Sequence, residues 1–221
     1  MSTVLELSKL TYAYRTVKRP KTILRGVDYA FEAGVFYAVS GRSGSGKTTL
    51  LSLASGLDSP TGGAVRFRGR DIAEIGLGRY RRRYAATVFQ SLNLLDYLNA
   101  VQNVTAAMEI TGVRERRKKR RAIALLEGLG LDAEDLRRRP PQLSGGQQQR
   151  VAIARALACE VDVLFADEPT GSLDGETADD IVRTFRSLAH DHGKCVIVVT
   201  HAKQVADAAD EVLNLRKGKL S

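Results

Sequence analysis

The chain has 221 residues, enough for one large domain with a full core, and its 43% hydrophobic and 27% charged residues are the balance of a globular protein. No apolar run approaches the roughly 20 residues needed to cross a bilayer, the opening MSTVLELSKL is not expected to be a secretory signal, and two cysteines without paired ligand spacing, Cys159 and Cys195, suit a reducing cytosol. The formal charge of +9 collects in residues 79–83 (RYRRR) and 114–121 (RERRKKRR), where an anionic membrane surface or nucleic acid could bind, although solvated helix faces are the expectation.

Taken in chain order, residues 3–34 alternate polar and apolar in short pieces, which predicts a small antiparallel sheet. Residues 35–39 (VFYAV) are apolar throughout, as in a strand covered on both faces. A glycine-rich turn follows, then a helix over residues 47–55 stopped by Gly56. Residues 60–90 read as further short strands and turns. From about 91 to 160 the periodicity is helical, broken at Gly112, at Gly128-Leu129-Gly130 and at Pro140-Pro141. Two more buried strands, 161–166 and 195–200, flank a helix over 178–190. Strand, helix, strand with buried strands signals an α/β fold. The helical middle reads as an inserted lobe.

The turn Gly41-Arg42-Ser43-Gly44-Ser45-Gly46-Lys47-Thr48 matches the P-loop pattern, with a buried strand before it and a helix after it. Its glycines leave successive backbone N–H groups free to surround phosphate oxygens. Lys47 would reach the β- and γ-phosphates, and the Thr48 hydroxyl would ligate Mg²⁺. With Thr49, these residues are the candidate nucleotide contacts.

The run Val163-Leu164-Phe165-Ala166 ends in Asp167 and Glu168. Neighbouring side chains on a strand point to opposite sides, so Asp167 is expected to face the metal and Glu168 the attacking water as general base. A third strand ends at Thr200-His201, and in open α/β sheets ligands bind outside the carboxyl ends of the strands. His201 is therefore the candidate γ-phosphate contact. His190 and His192 look like surface residues on a helix-to-strand turn.

Leu143-Ser144-Gly145-Gly146-Gln147 opens a helical stretch over residues 148–158. A Ser before two glycines offers a hydroxyl and unpaired N–H groups to an anion, and the glycines allow close approach. It can also be an ordinary N-cap.

With the P-loop, this LSGGQ pentapeptide, the acidic strand end and the strand-end His in that order, the chain resembles the ATP-binding subunit of ABC transporters along nearly its whole length. The resemblance implies an α/β fold: a P-loop NTPase core with a mostly parallel sheet, an N-terminal antiparallel β subdomain and an inserted α-helical subdomain. Residues 1–90 and 161–221 would form the core with its β subdomain, and about 91–160 the helical subdomain carrying LSGGQ. By position, Tyr14 looks like the aromatic that stacks on adenine, with Tyr12 on the same strand face as the alternative. Gln90 looks like the glutamine that ligates Mg²⁺ and senses the membrane partner, and Ser172-Leu173-Asp174 resembles the D-loop. The resemblance further implies a head-to-tail homodimer in which ATP lies between the P-loop of one subunit and Ser144, Gly145, Gly146 and Gln147 of the other. Transmembrane permease subunits would dock near residues 91–104, holding the protein peripherally at the cytoplasmic face of a bacterial membrane. The stretches around Gln90 and Asp167 are similar to those of the lipoprotein-releasing, macrolide-exporting and bacitracin-resistance group. An ABC-type ATPase of DNA repair or chromosome maintenance is the competing reading, but its coiled coil or zinc modules have no counterpart in this sequence.

Overall fold

The computed structural model describes residues 2–14, 21–171 and 173–221. The N-terminal region is a twisted antiparallel sheet. Strand β1 (Thr3–Tyr14) pairs with β2 (Lys21–Glu32). Strand β3 (Phe36–Ser40) then leaves for a second sheet and feeds the P-loop and helix α1 (Lys47–Ala54). The chain returns to the first sheet in β4 (Gly62–Phe67) and β5 (Arg70–Asp71), giving the order β2-β1-β4-β5.

Residues 70–84 hold two helices where short strands and turns were expected: α2 (Ile72–Ile75) and α3 (Leu77–Arg83). Asp71 caps α2 by accepting the Ala73 N–H at 2.8 Å. In α3 the arginines are exposed while Tyr80 is fully buried, its hydroxyl donating to the Ala54 carbonyl at 3.2 Å. Tyr80 and the partly buried Leu77 leave too weak a pattern to read from the sequence, yet they dock the helix under α1.

Strand β6 (Ala85–Val88) begins the helical part, with α4 (Ala100–Thr111), α5 (Lys118–Gly128) and α6 (Gly145–Leu157). Then come β7 (Val163–Asp167), α7 (Gly175–His190), β8 (Cys195–Val199), α8 (Lys203–Ala208), β9 (Glu211–Arg216) and β10 (Lys219–Leu220). The second sheet has the order β10-β9-β3-β8-β7-β6 and is parallel from β9 to β6.

Period-two alternation explains why its central strands are apolar throughout. Tyr37, Val39, Val163, Phe165, Cys195, Ile197 and Val199 point toward the β subdomain and α1, while Phe36, Leu164, Ala166, Val196 and Val198 face the α6 and α7 side. Each fully buried Phe or Leu there contributes ~1.5–3 kcal/mol of transfer free energy. A third cluster joins α4, α5 and α6. Helix α6 is buried on two sides. Ala152, Ile153 and Ala156 pack toward the sheet, whereas Val151, Ala154 and Ala158 pack toward α4 and α5.

Candidate active site

The carboxyl ends of β3, β7 and β8 converge on a cavity of about 750 Å³. It is lined by the P-loop, Thr48, Thr49, Gln90, Asp167, Glu168 and His201, together with Tyr14 from β1 and Lys21 and Ile23 from β2. Three segments more than thirty residues apart thus form one site, as the strand-end rule requires.

The P-loop is shaped by what surrounds it. A Cβ on Gly41 would lie 2.6 Å from the Leu215 carbonyl oxygen of β9, and one on Gly46 would lie 2.7 Å from Ile23 Cγ2 at φ +104. Both positions therefore require glycine. Lys47 is buried, and its ammonium donates to the Gly41 carbonyl at 2.8 Å, so it spans the loop. Unlike α4, α6 and α7, helix α1 has no side chain capping its N-terminus. Its first N–H groups thus open into the cavity beside a cation, the donor set a phosphate chain needs.

Asp167 ends β7. Its carboxyl is pushed above the ordinary range by burial and by the neighbouring Glu168, against the pull of the Thr48 hydrogen bond and the Lys47 charge. Glu168 corrects the alternation expectation. It lies past the strand end at φ +46, so both carboxylates line the same cavity instead of facing opposite sides. Its backbone N–H still donates to the Val199 carbonyl at 2.9 Å. Glu168 Oε2 accepts the Thr200 hydroxyl at 3.1 Å and the His201 N–H at 3.2 Å, and Oε1 lies 2.8 Å from His201 Nδ1.

The two tyrosines separate. Tyr14 lines the cavity and is 48% exposed, whereas Tyr12 donates its hydroxyl to Asp58 at 2.7 Å and is no part of the wall. That hydrogen bond is the main reason the Tyr12 hydroxyl is pushed up to about 12. Tyr12 instead presents its ring edge-on to Tyr14 at 5.1 Å. Of the candidate P-loop contacts, Ser45 is placed in a neighbouring cavity and not in this one. Lys21 and Ile23 were not anticipated. Lys21 comes to the site only through its register opposite Tyr14, which no local motif announces.

Ser144, Gly145, Gly146, Gln147 and Asp174 do not join this cavity. Ser144 caps α6: its Oγ accepts the Gln147 N–H at 3.2 Å, and Gln147 Oε1 accepts the Ser144 N–H at 2.8 Å. Gln147 Nε2 also donates to Asp135 at 2.8 Å. The glycines differ. A Cβ on Gly146 would fall 2.5 Å from Thr177 Cγ2, whereas one on Gly145 would meet only Leu173 Cδ2 at 4.0 Å. Asp174 caps α7, accepting the Thr177 N–H at 2.9 Å and its hydroxyl at 3.0 Å, and the Thr177 amide holds its carboxyl below the usual range. The two helix starts thus form one patch away from the chain's own P-loop. Ser172, of the D-loop resemblance, lies outside the described residues.

His190 is exposed, as expected of a surface residue, but it is not without a partner. Its Nε2 lies 2.9 Å from Asp210 Oδ2, the same atom that accepts the Phe36 N–H at 2.8 Å. Among the described residues no group of three or more His, Cys, Asp or Glu could cage a metal ion. Thr48, Gln90 and Asp167 are oxygen donors on one wall, which suits a hard cation that keeps water and phosphate ligands.

The family model described as ABC transporter matches residues 24–171. The chain belongs to the ABC transporter family. As a member, it is 44% identical to the uncharacterized ABC transporter ATP-binding protein YclH of Bacillus subtilis, over 99% of this chain and 96% of that protein. It is 42% identical to the macrolide export ATP-binding/permease protein MacB of Syntrophobacter fumaroxidans, over 97% of this chain but 31% of MacB. The fold matches the dimeric structure of MJ0796, a bacterial ABC transporter cassette, with a TM-score of 0.90, 34% identity, and coverage of 98% of this chain and 96% of that one. The same cassette in a post-hydrolysis dimer with ADP and Pi matches equally well. This ABC cassette is thus a transport-coupled ATPase with the expected α/β architecture, and the DNA-repair reading is set aside.

Proposed function

We propose that the chain hydrolyses ATP with Mg²⁺ as a head-to-tail homodimer and drives a membrane permease from the cytoplasmic face. One observation carries this reading. The P-loop cavity gathers Lys47, Thr48, Asp167, Glu168 and His201, while the helix start at Ser144 lies elsewhere in the same chain. The Ser144 to Gln147 patch would close over the nucleotide of a second subunit, its N–H groups turned to the γ-phosphate.

In this reading Tyr14 stacks on adenine, the P-loop amides from Gly44 to Thr49 and Lys47 hold the phosphates, and Thr48, Gln90 and Asp167 would hold the metal. Bound Mg²⁺ would neutralise charge on the phosphate oxygens. Glu168 takes the proton of the attacking water, oriented by Thr200 and the His201 amide. Residues 91–104 would meet the permease. In support, Tyr97 is 69% exposed, and Arg155 of α6 donates to the carbonyls of Leu92 and Asn93 at 2.6 and 2.5 Å. The helix that begins at the LSGGQ patch therefore grips the segment after Gln90. Membrane attachment would come through the permease, since no helix among the described residues is long and apolar enough to cross a bilayer. Relatives such as MacB are named for macrolide export, and an efflux or extraction role is proposed from that likeness.

The test is Glu168→Gln in light scattering. With saturating ATP and Mg²⁺ the variant should run as a stable dimer with turnover largely abolished. A protein that stays monomeric under those conditions would falsify the shared-site mechanism.

A further inference from the structure

A second cavity, of about 840 Å³, adjoins the nucleotide cavity across the P-loop. Its walls are the start of β2, residues 42–45 of the loop and the turn between β9 and β10. Five cations line it: Lys21, Arg25, Arg42, Arg216 and Lys217. No acidic side chain joins them among the described residues, and none of the five makes an ion pair there. The stretch between Tyr14 and Lys21 reads Arg-Thr-Val-Lys-Arg-Pro, so it carries no acid to balance them.

The charges are gathered by backbone geometry. The Arg25 N–H donates to the Gly218 carbonyl at 2.8 Å. A Cβ on Gly218, at φ +77, would fall 2.4 Å from the Ile23 carbonyl oxygen. The β9–β10 turn is therefore locked against β2, which holds Arg216 and Lys217 beside Arg25. Ser45 belongs to this wall, and its Oγ is shielded from solvent without a hydrogen-bond partner among the described residues. Like charges held together in this way repel, and an anion between them relieves the repulsion. Arginine forks and lysine ammoniums suit phosphate oxygens. Lys21, Ile23, Arg42, Ser43 and Gly44 line both cavities, but Arg25, Arg216 and Lys217 line only this one, and Lys47, Thr48, Thr49, Asp167, Glu168 and His201 lie outside it, so the hydrolysed triphosphate leaves those three cations unmatched.

We propose that this cavity is a second anion site, which takes a multiply phosphorylated small molecule while the nucleotide pocket is filled. It goes beyond the hydrolytic reading and uses it only in choosing ADP to fill the neighbouring pocket.

Equilibrium dialysis of the full chain, with pyrophosphate and ADP carrying different isotopes and Mg²⁺ in excess of both, tests it. The expected result is one pyrophosphate per chain with ADP retained, and binding that weakens steeply with salt. The triple variant Arg25→Gln, Arg216→Gln, Lys217→Gln should bind pyrophosphate about tenfold more weakly and ADP as before, with its melting temperature checked alongside. Pyrophosphate that binds only by displacing ADP, or that binds the triple variant as well as the parent, overturns the proposal. Failure of ADP to bind counts against the hydrolytic reading, and the comparison of parent and triple variant then still decides the second site.

Discussion

Glu168 and His201 face each other at the mouth of the nucleotide cavity, with Oε1 and Nδ1 2.8 Å apart. Glu168 is anchored through its other oxygen to the end of β8, and the His201 side chain is 73% exposed. The histidine can therefore turn toward a bound phosphate while the carboxylate stays in place. His201→Ala should lower kcat by about 10²-fold or more and leave ATP affinity within about threefold. Steady-state kinetics and titration calorimetry separate the two, and an unchanged kcat removes His201 from the reaction.

Ser144 caps its own helix and, in the proposed dimer, would face the partner's nucleotide. Ser144→Ala should cost about 1 kcal/mol of stability through the lost cap and slow hydrolysis while the monomer binds ATP normally. Equal loss of ATP binding and turnover would place the pentapeptide in its own chain's pocket.

The adjacent glycines predict different outcomes. Gly146→Ala forces a methyl against Thr177 of α7, and this overpacking should cost about 1–3 kcal/mol, seen in a thermal melt. Gly145→Ala meets open space within its own chain and should remain within about 1 kcal/mol of the parent. In the proposed dimer the added methyl would lie on the face turned to the second subunit, so the variant should nonetheless weaken ATP-driven dimerisation. Equal melting temperatures for the two variants would contradict the packing account.

Asp210 ties three elements together through the Phe36 amide and His190. Burial alone would raise its carboxyl, but the Phe36 and His190 contacts prevail and hold it below the ordinary range. A depressed folded-state pKa means stabilisation that is present above the unfolded value of about 3.9 and is lost as pH falls through the folded one. Asp210→Asn should therefore cost about 1 kcal/mol at neutral pH, with the gap to the parent closing below about pH 4. Denaturant melts across pH check this, and a gap constant from pH 3 to 7 would exclude the carboxylate as its source.

The sequence by itself determined the features that depend on neighbours along the chain. A buried strand, three glycines and Lys47 specify a phosphate loop, because its donors are consecutive backbone amides. Runs such as residues 195–199 specify strands covered on both faces, because alternation then leaves every residue apolar. The same locality made Ser144 legible as a helix cap. Only the tertiary structure decided what depends on distant partners. The Tyr12 hydroxyl is held by Asp58, while Tyr14 lines the cavity. The register of β1 against β2 brings Lys21 into the cavity, and Tyr80 turns an arginine run into a packed helix. The left-handed backbone of Glu168 turns its carboxylate onto His201, which alternation along a strand could not foretell. The LSGGQ start stays out of the cavity of its own P-loop and packs instead against α7, Gly146 against Thr177, a contact between residues too far apart in the chain for any local pattern to encode.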